Sequence, residues 1–179
     1  MTFSNPASNA AACAEAYVRA LLEVLGEREP LEVLEELDGW LGRRFSGVPE
    51  ASLRRPEAPG KWSAAEVVQH LADSELVLGF RMRMILTEDR PAIQGYDQDK
   101  WAGTLRYPEV PLAESRAQLL ALRAANLRVL RRLGPAEMQR VGMHSERGPE
   151  SLVHLIKLMG AHDLVHRRQI DRVLKAGRT

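Results

Sequence analysis

The chain has a single cysteine, Cys13, so no intrachain disulfide can staple it and a packed core must hold it together. Cysteine this sparse suits a reducing compartment. Cys13 itself, far in sequence from the motifs described below, reads as a small packing residue and not as a nucleophile. Long apolar runs are also missing: nothing approaches the ~18–20 residues needed to span a bilayer. The opening "MTFSNPASNAA" has no basic stretch followed by an apolar core, so no signal peptide is expected. The expected location is cytoplasmic, with no membrane partner. Charge of one sign is lacking as well: 25 Lys+Arg stand against 24 Asp+Glu, a formal net charge of +1. Such a balance leaves no global field to draw in nucleic acid. The arginine pairs at 43–44, 54–55, 131–132 and 167–168 are scattered and read as solvated faces, so no nucleic-acid partner is expected. Strand signals are nearly absent, since no alternating run is bounded by a tight hairpin turn.

What is present is helical periodicity. The 179 residues suffice for one domain with a real core; we read 1–179 as a single domain, with 1–29 as an N-terminal extension and 30–176 as the core. "SNAAACAEAYVRALLEVLG" offers capping residues, good helix formers and Gly26 as a stop. "PLEVLEELDGWLGRRF" places Pro30 at a first helical position and Leu34, Leu37, Leu41 and Phe45 on one stripe. After a proline-rich connector, Ser63 and Glu66 form a capping box ahead of a long apolar helix. Residues 87–111 read as an ordered loop with a helical turn near Trp101. A fourth helix carries Leu119, Leu122, Val129 and Leu133 on one face, and a last one runs from about Glu150 to Lys175. The pattern predicts an all-α fold, a four-helix bundle with an additional N-terminal helix.

The last helix contains "LMGAHDLVHRRQI". Its inward positions read Leu155, Met159, His162, His166, Gln169 and Val173, so the apolar stripe runs through both histidines. On the third helix, His70 shares a face with Val67, Leu71, Ser74 and Leu78. Three of the five histidines therefore project toward one interior. Two imidazoles four residues apart can reach one ion, and a third from a facing helix completes a set with open positions. The spacing alone equally suits neutral histidines hydrogen-bonded in a core, or a metal-free proton-handling pair. Asp73, one turn beyond His70, is a candidate acceptor orienting an imidazole. Asn126 and Gln169 are candidates to line the pocket, with core hydrogen bonding as the plainer role. Asp163, rotated off the histidine face, reads as an exposed salt-bridge residue. Trp62 reads as a staple at the start of its helix, and His144 and His154 as poorer ligands.

"PGKWSAAEVVQHLADSE", "RMRMILTEDRP", "YDQDKWA" and "AHDLVHRRQI" together resemble the DinB-like superfamily, over roughly residues 16–175. The likeness is strongest to the branch containing YfiT-type metal-dependent hydrolases and bacillithiol transferases. That resemblance implies a divalent-metal site of three histidines, falling here on His70, His162 and His166, with zinc or nickel as the metal. It also implies a homodimer, a small-molecule substrate, and a loop bearing Tyr96, Asp97 and Trp101 at the border of the site. The plain roles for those loop residues are aromatic packing and turn capping. Two reactions fit an open three-histidine metal. One is S-transfer from a low-molecular-weight thiol, bacillithiol by the resemblance; the other is hydrolysis by an activated water. The motif has no glutamate beside its histidines, unlike H-E-x-x-H, which favours thiol transfer. A bundle that binds metal or a small molecule without turnover is the non-enzymatic alternative.

Overall fold

Pro30 opens a helix where its missing N–H costs nothing, and Gly26, at φ +58°, closes the one before it with a bond from its N–H to the Leu22 carbonyl. The Ser63 side chain accepts from the Glu66 N–H while the Glu66 carboxylate accepts from the Ser63 N–H, the reciprocal cap the sequence predicts. The structure, a computed structural model, describes residues 10–176, with side chains from residue 15 onward. Cys13 lies on the first helix, but its side chain is outside the described residues.

Among the described residues, eight helices and three short strands follow in the order α1 (Ala10–Leu25), α2 (Pro30–Phe45), α3 (Glu50–Leu53), α4 (Ala64–Thr87), β1 (Ala92–Ile93), α5 (Gln98–Thr104), α6 (Leu112–Leu130), α7 (Pro135–Met138), β2 (Val141–His144), β3 (Gly148–Ser151) and α8 (Leu152–Ala176). A 3-10 turn, Tyr107–Glu109, precedes α6. The four long helices α2, α4, α6 and α8 form the bundle, and α1 packs its Leu21 and Leu25 against Leu158, Ala161 and Leu164 of α8. No helix among the described residues is long and apolar enough to cross a membrane.

The bundle has two apolar clusters rather than one continuous core. One gathers Leu37, Leu41, Val67, Leu71, Leu119 and Ile170; the other Leu34, Met82, Ile85, Leu130, Leu155 and Met159. Between them lies a buried polar band: His70, Asp73, Ser74 and Glu75 from α4, Arg123 and Asn126 from α6, Asp163 and His166 from α8. Such a band is tolerated only when its members satisfy one another. Its position, midway along three long helices, is where the candidate site sits.

Two sequence expectations need correction. β1, β2 and β3 form a three-stranded sheet, with β1 parallel to β2 and β2 antiparallel to β3, in a segment read as loop. Ser145, Glu146 and Arg147 connect β2 to β3, and Gly148 at φ +74° supplies the left-handed residue that three-residue hairpins need. The last helix consequently starts at Leu152, since Glu150 is held in β3 opposite Gly142. On α6 the buried face is Ser115, Leu119, Arg123, Asn126, Leu127 and Leu130, whereas Leu122 and Val129 are only partly buried.

Candidate metal centre

The capping box fixes the register of α4 so that His70, two turns in, enters the polar band fully buried. His162 and His166 enter from α8, one turn apart. The three rings converge through the same atom: His162 Nε2 lies 3.1 Å from His70 Nε2 and 3.0 Å from His166 Nε2. All three candidate ligand atoms fall within 4.8 Å of one another. Trp62 does more than staple its helix, because its ring stacks 4.9 Å from His70 and walls the group.

The hydrogen bonds behind the rings decide which way the lone pairs face. Gln169 Oε1 lies 2.7 Å from His166 Nδ1, and an amide oxygen only accepts. His166 Nδ1 therefore donates, leaving its Nε2 lone pair toward the other two rings. His70 Nδ1 is buried without a partner, and Ser74 Oγ stands 3.4 Å from His70 Nε2. Burial, with mutual repulsion against the neighbouring imidazoles, holds His70 and His162 well below the ordinary histidine range. Burial lowers His166 to about 4. Three neutral imidazoles with nitrogens about 3 Å apart suit a shared cation. An ion bound ~2.0–2.1 Å from each nitrogen in tetrahedral geometry separates them by about 3.4 Å, within half an ångström of the two contacts above.

A pH prediction follows for metal-free protein. Burial, reinforced by Arg147, also lowers His144 to about 4. Both His144 and His166 stay neutral in the fold down to that pH, but take up protons near 6.5 in the unfolded chain. Protonation thus favours unfolding: stability is full above about pH 6.5 and falls as pH drops toward 4, by on the order of 3 kcal/mol per imidazole. Urea midpoints measured from pH 7.5 to 4.5 should decline across that window; a flat profile would contradict it.

The remaining sequence candidates separate. Gln169 touches the group through His166. Asp73 does not reach a histidine: it accepts from Tyr107 Oη at 2.6 Å and from Gln118 at 3.2 Å. Asn126 donates to Glu75 and accepts from Arg83, away from the rings. Asp97 caps α5 by accepting from the Asp99 and Lys100 N–H groups. Trp101 packs on Tyr96, centroids 4.7 Å apart. Asp163 forms a salt bridge, but a buried one, with Arg123.

Cavities approach the histidines from two sides. One, of about 250 Å³, reaches His162 past Ser74, Tyr96, Arg81 and His144. The other, of about 640 Å³, reaches His166 and Gln169 past Trp62 and Ala102. Residues of the 87–111 segment wall both: Tyr96 and Asp97 the first, Asp99 and Ala102 the second. His144, set aside by the sequence reading, is a buried strand residue on the first cavity. Arg81 gives no signal of its own in the run "RMRMIL", although three helical turns after His70 put it on the same face.

Fold and site together define a helical bundle built around three converging imidazoles. Residues 31–170 match the model of the DinB superfamily, and the chain belongs to that family as a YfiT-type member. It is 33% identical over 141 residues to an Oceanobacillus iheyensis protein named "Putative metal-dependent hydrolase", covering 77% of this chain and 81% of the relative. A Bacillus mycoides protein of the same name is 29% identical over 140 residues, covering 78% and 80%. Among solved structures it is similar to YfiT from Bacillus subtilis, described as "a probable metal-dependent hydrolase with an unusual four-helix bundle topology". That likeness has a TM-score of 0.75 at 27% identity, over 82% of this chain and 84% of YfiT.

Proposed function

We propose that the protein is a metal-dependent thiol S-transferase that holds a zinc or nickel ion on His70, His162 and His166. The observation that carries this reading is where the nearby carboxylates are. Asp73 is engaged by Tyr107 and Gln118, and Glu75 and Asp163 by Arg123; none meets an imidazole. Water-based hydrolysis needs a placed acid or base, whereas a thiol needs only to lose its proton and attack. A divalent ion held by these three neutral imidazoles would supply that acidification.

The chain's own residues do the rest. Gln169 orients His166, Trp62 excludes water from His70, and the Ser74 and Tyr96 hydroxyls, 3.0 Å apart, offer a short relay for the departing proton. Cavities at His162 and at His166 give two substrates separate approaches. In the reaction a sulfur–carbon bond forms, a carbon–leaving-group bond breaks, and the thiol proton leaves with the departing group. Bacillithiol is our proposed thiol and the cytoplasm the proposed setting. Leu76 and Phe80, exposed one turn apart on α4, support the homodimer as a place for a second copy.

Hydrolysis is the second reading, favoured by the names of the relatives. Zinc- or nickel-loaded protein is assayed for conjugation of bacillithiol or cysteine to monochlorobimane, and for p-nitrophenyl acetate cleavage without thiol. Metal-dependent conjugation without ester turnover is expected. Ester turnover alone would move the assignment to hydrolase, and neither activity would leave a binding bundle.

A further inference from the structure

We propose that the cavity beside His162 is built for an anionic substrate, holding its carboxylate or phosphate oxygens on Arg81 and His144 while its reacting end meets the histidine group. Two groups on this cavity are incompletely matched: a guanidinium without a carboxylate and an imidazole N–H without an acceptor. Arg81 is 8% exposed, and its guanidinium is committed only to the Gln94 carbonyl and to the Tyr96 ring, 6.0 Å away. Among the described residues no carboxylate comes within ion-pair distance of it. The other buried arginines have one: Arg123 has Glu75 and Asp163, and Arg167 has Glu36. A buried cation without a counter-ion is costly enough that its retention points to a partner that arrives later.

The second donor is His144, 3% exposed on β2. The Glu146 backbone N–H donates to His144 Nδ1 at 3.2 Å, so in the neutral ring the proton sits on Nε2. That Nε2 is buried with no partner. Arg81 and His144 line one cavity of about 250 Å³, along with His162. The other charges on it are accounted for: Arg147 is held by Glu150 at 2.5 and 3.0 Å, Asp97 caps α5, and Glu146 is exposed and beyond ion-pair distance of Arg81. Burial weakens Arg81's hold on its own proton and Arg147 adds to it, while Tyr96, Glu150 and Glu146 offset part of that without forming an ion pair with it.

Reach sets the substrate's size. Eleven helical residues put the Cα atoms of His70 and Arg81 roughly 16 Å apart along α4, and an arginine side chain on a helix leans back toward the N-terminus. What remains suits a small molecule with its anion several bonds from its reacting atom. The proposal rests on the reading of the histidines as a reaction centre for the position of that reacting atom; the anion site itself stands apart from it.

The test is calorimetry on the full chain, zinc-loaded and metal-free. The probes are 6-mercaptohexanoate and 6-mercapto-1-hexanol, which differ in the carboxylate, together with hexanoate and inorganic phosphate, which carry no thiol. On the loaded protein, wild type should bind the mercaptocarboxylate roughly tenfold more tightly than the mercaptoalcohol, as a charge-assisted bond to a buried guanidinium warrants. Arg81→Gln should erase that preference by weakening the mercaptocarboxylate roughly tenfold relative to the mercaptoalcohol, and His144→Phe should reduce it. Equal affinities in wild type, or a preference that survives Arg81→Gln, would overturn the proposal. Should Arg81→Gln fail to fold, competition in wild type decides: hexanoate must displace 6-mercaptohexanoate where hexanol does not. Hexanoate or phosphate binding to metal-free protein that Arg81→Lys weakens would uphold the anion site even if no metal binds, and the tighter of the two names the oxyanion.

Discussion

His162→Ala is expected to abolish metal binding at the proposed three-histidine site. Wild-type protein reconstituted with zinc or nickel and dialysed against metal-free buffer should carry close to one ion per chain by mass spectrometry, and the variant less than about a tenth of that. His162 is chosen because its Nε2 is the atom both other imidazoles reach, at 3.1 and 3.0 Å. Its loss leaves two ligands on different helices. The metal-free variant should fold, because His162 is only partly buried and stands outside the apolar clusters that hold the bundle together. Gln169→Leu supplies the graded control: losing the group behind a ligating imidazole typically weakens metal affinity by about 10–100-fold. Near-stoichiometric metal in His162→Ala would mean that the ion sits elsewhere, and no metal in wild type would remove the premise of the proposed reaction.

The parts of this site that are legible in the sequence are those written in short-range periodicity. Ser63 and Glu66 announce the start of α4, and with it the register of His70. His162 and His166 stand in line with Leu155 and Met159, so their inward direction follows from spacing alone. The illegible parts depend on partners distant in the chain. Arg123 looks like a break in the apolar face of α6, because pattern reading counts a charge as solvent-facing. It is buried because Glu75 and Asp163 meet it from two other helices. The same blindness makes Asp163 look exposed. β2 and β3 fail differently: four-residue strands with Gly142 and Pro149 inside them carry little β signal. Gly142 is there because a Cβ would come within 2.3 Å of Ile93. His144 reads as a loop residue for that reason, since the sheet that buries it is invisible in the sequence.

Arg123→Met is expected to destabilise the fold by about 3–5 kcal/mol at pH 8, the cost of breaking a buried charge network from one side. Arg123 donates to Glu75 at 2.9 Å, to both oxygens of Asp163 at 2.7 and 3.1 Å, and to the Leu34 carbonyl at 2.8 Å. The side chains of Arg123, Glu75 and Asp163 are 7%, 2% and 2% exposed, so water cannot replace the lost partner. Without the guanidinium, two carboxylates face each other in the dry interior. Burial already raises Glu75 above its ordinary range with Arg123 present, and removing the cation raises it further. The sign follows: a carboxylate whose folded value lies above its unfolded one loses stability as pH rises through that range. The variant's deficit should therefore be smaller at pH 5.5 than at pH 8, read from urea unfolding at both. Glu75→Gln/Arg123→Met/Asp163→Asn, which removes all three charges and leaves near-isosteric amides in place of the two carboxylates, should recover most of the loss. A deficit below about 1 kcal/mol, equal at both pH values, would show that water reaches the network. Because Asp163 adjoins His162 on α8, Arg123→Met should also lower metal content with every ligand intact. The buried charges of the band would then hold α8 in register for the imidazoles beside them.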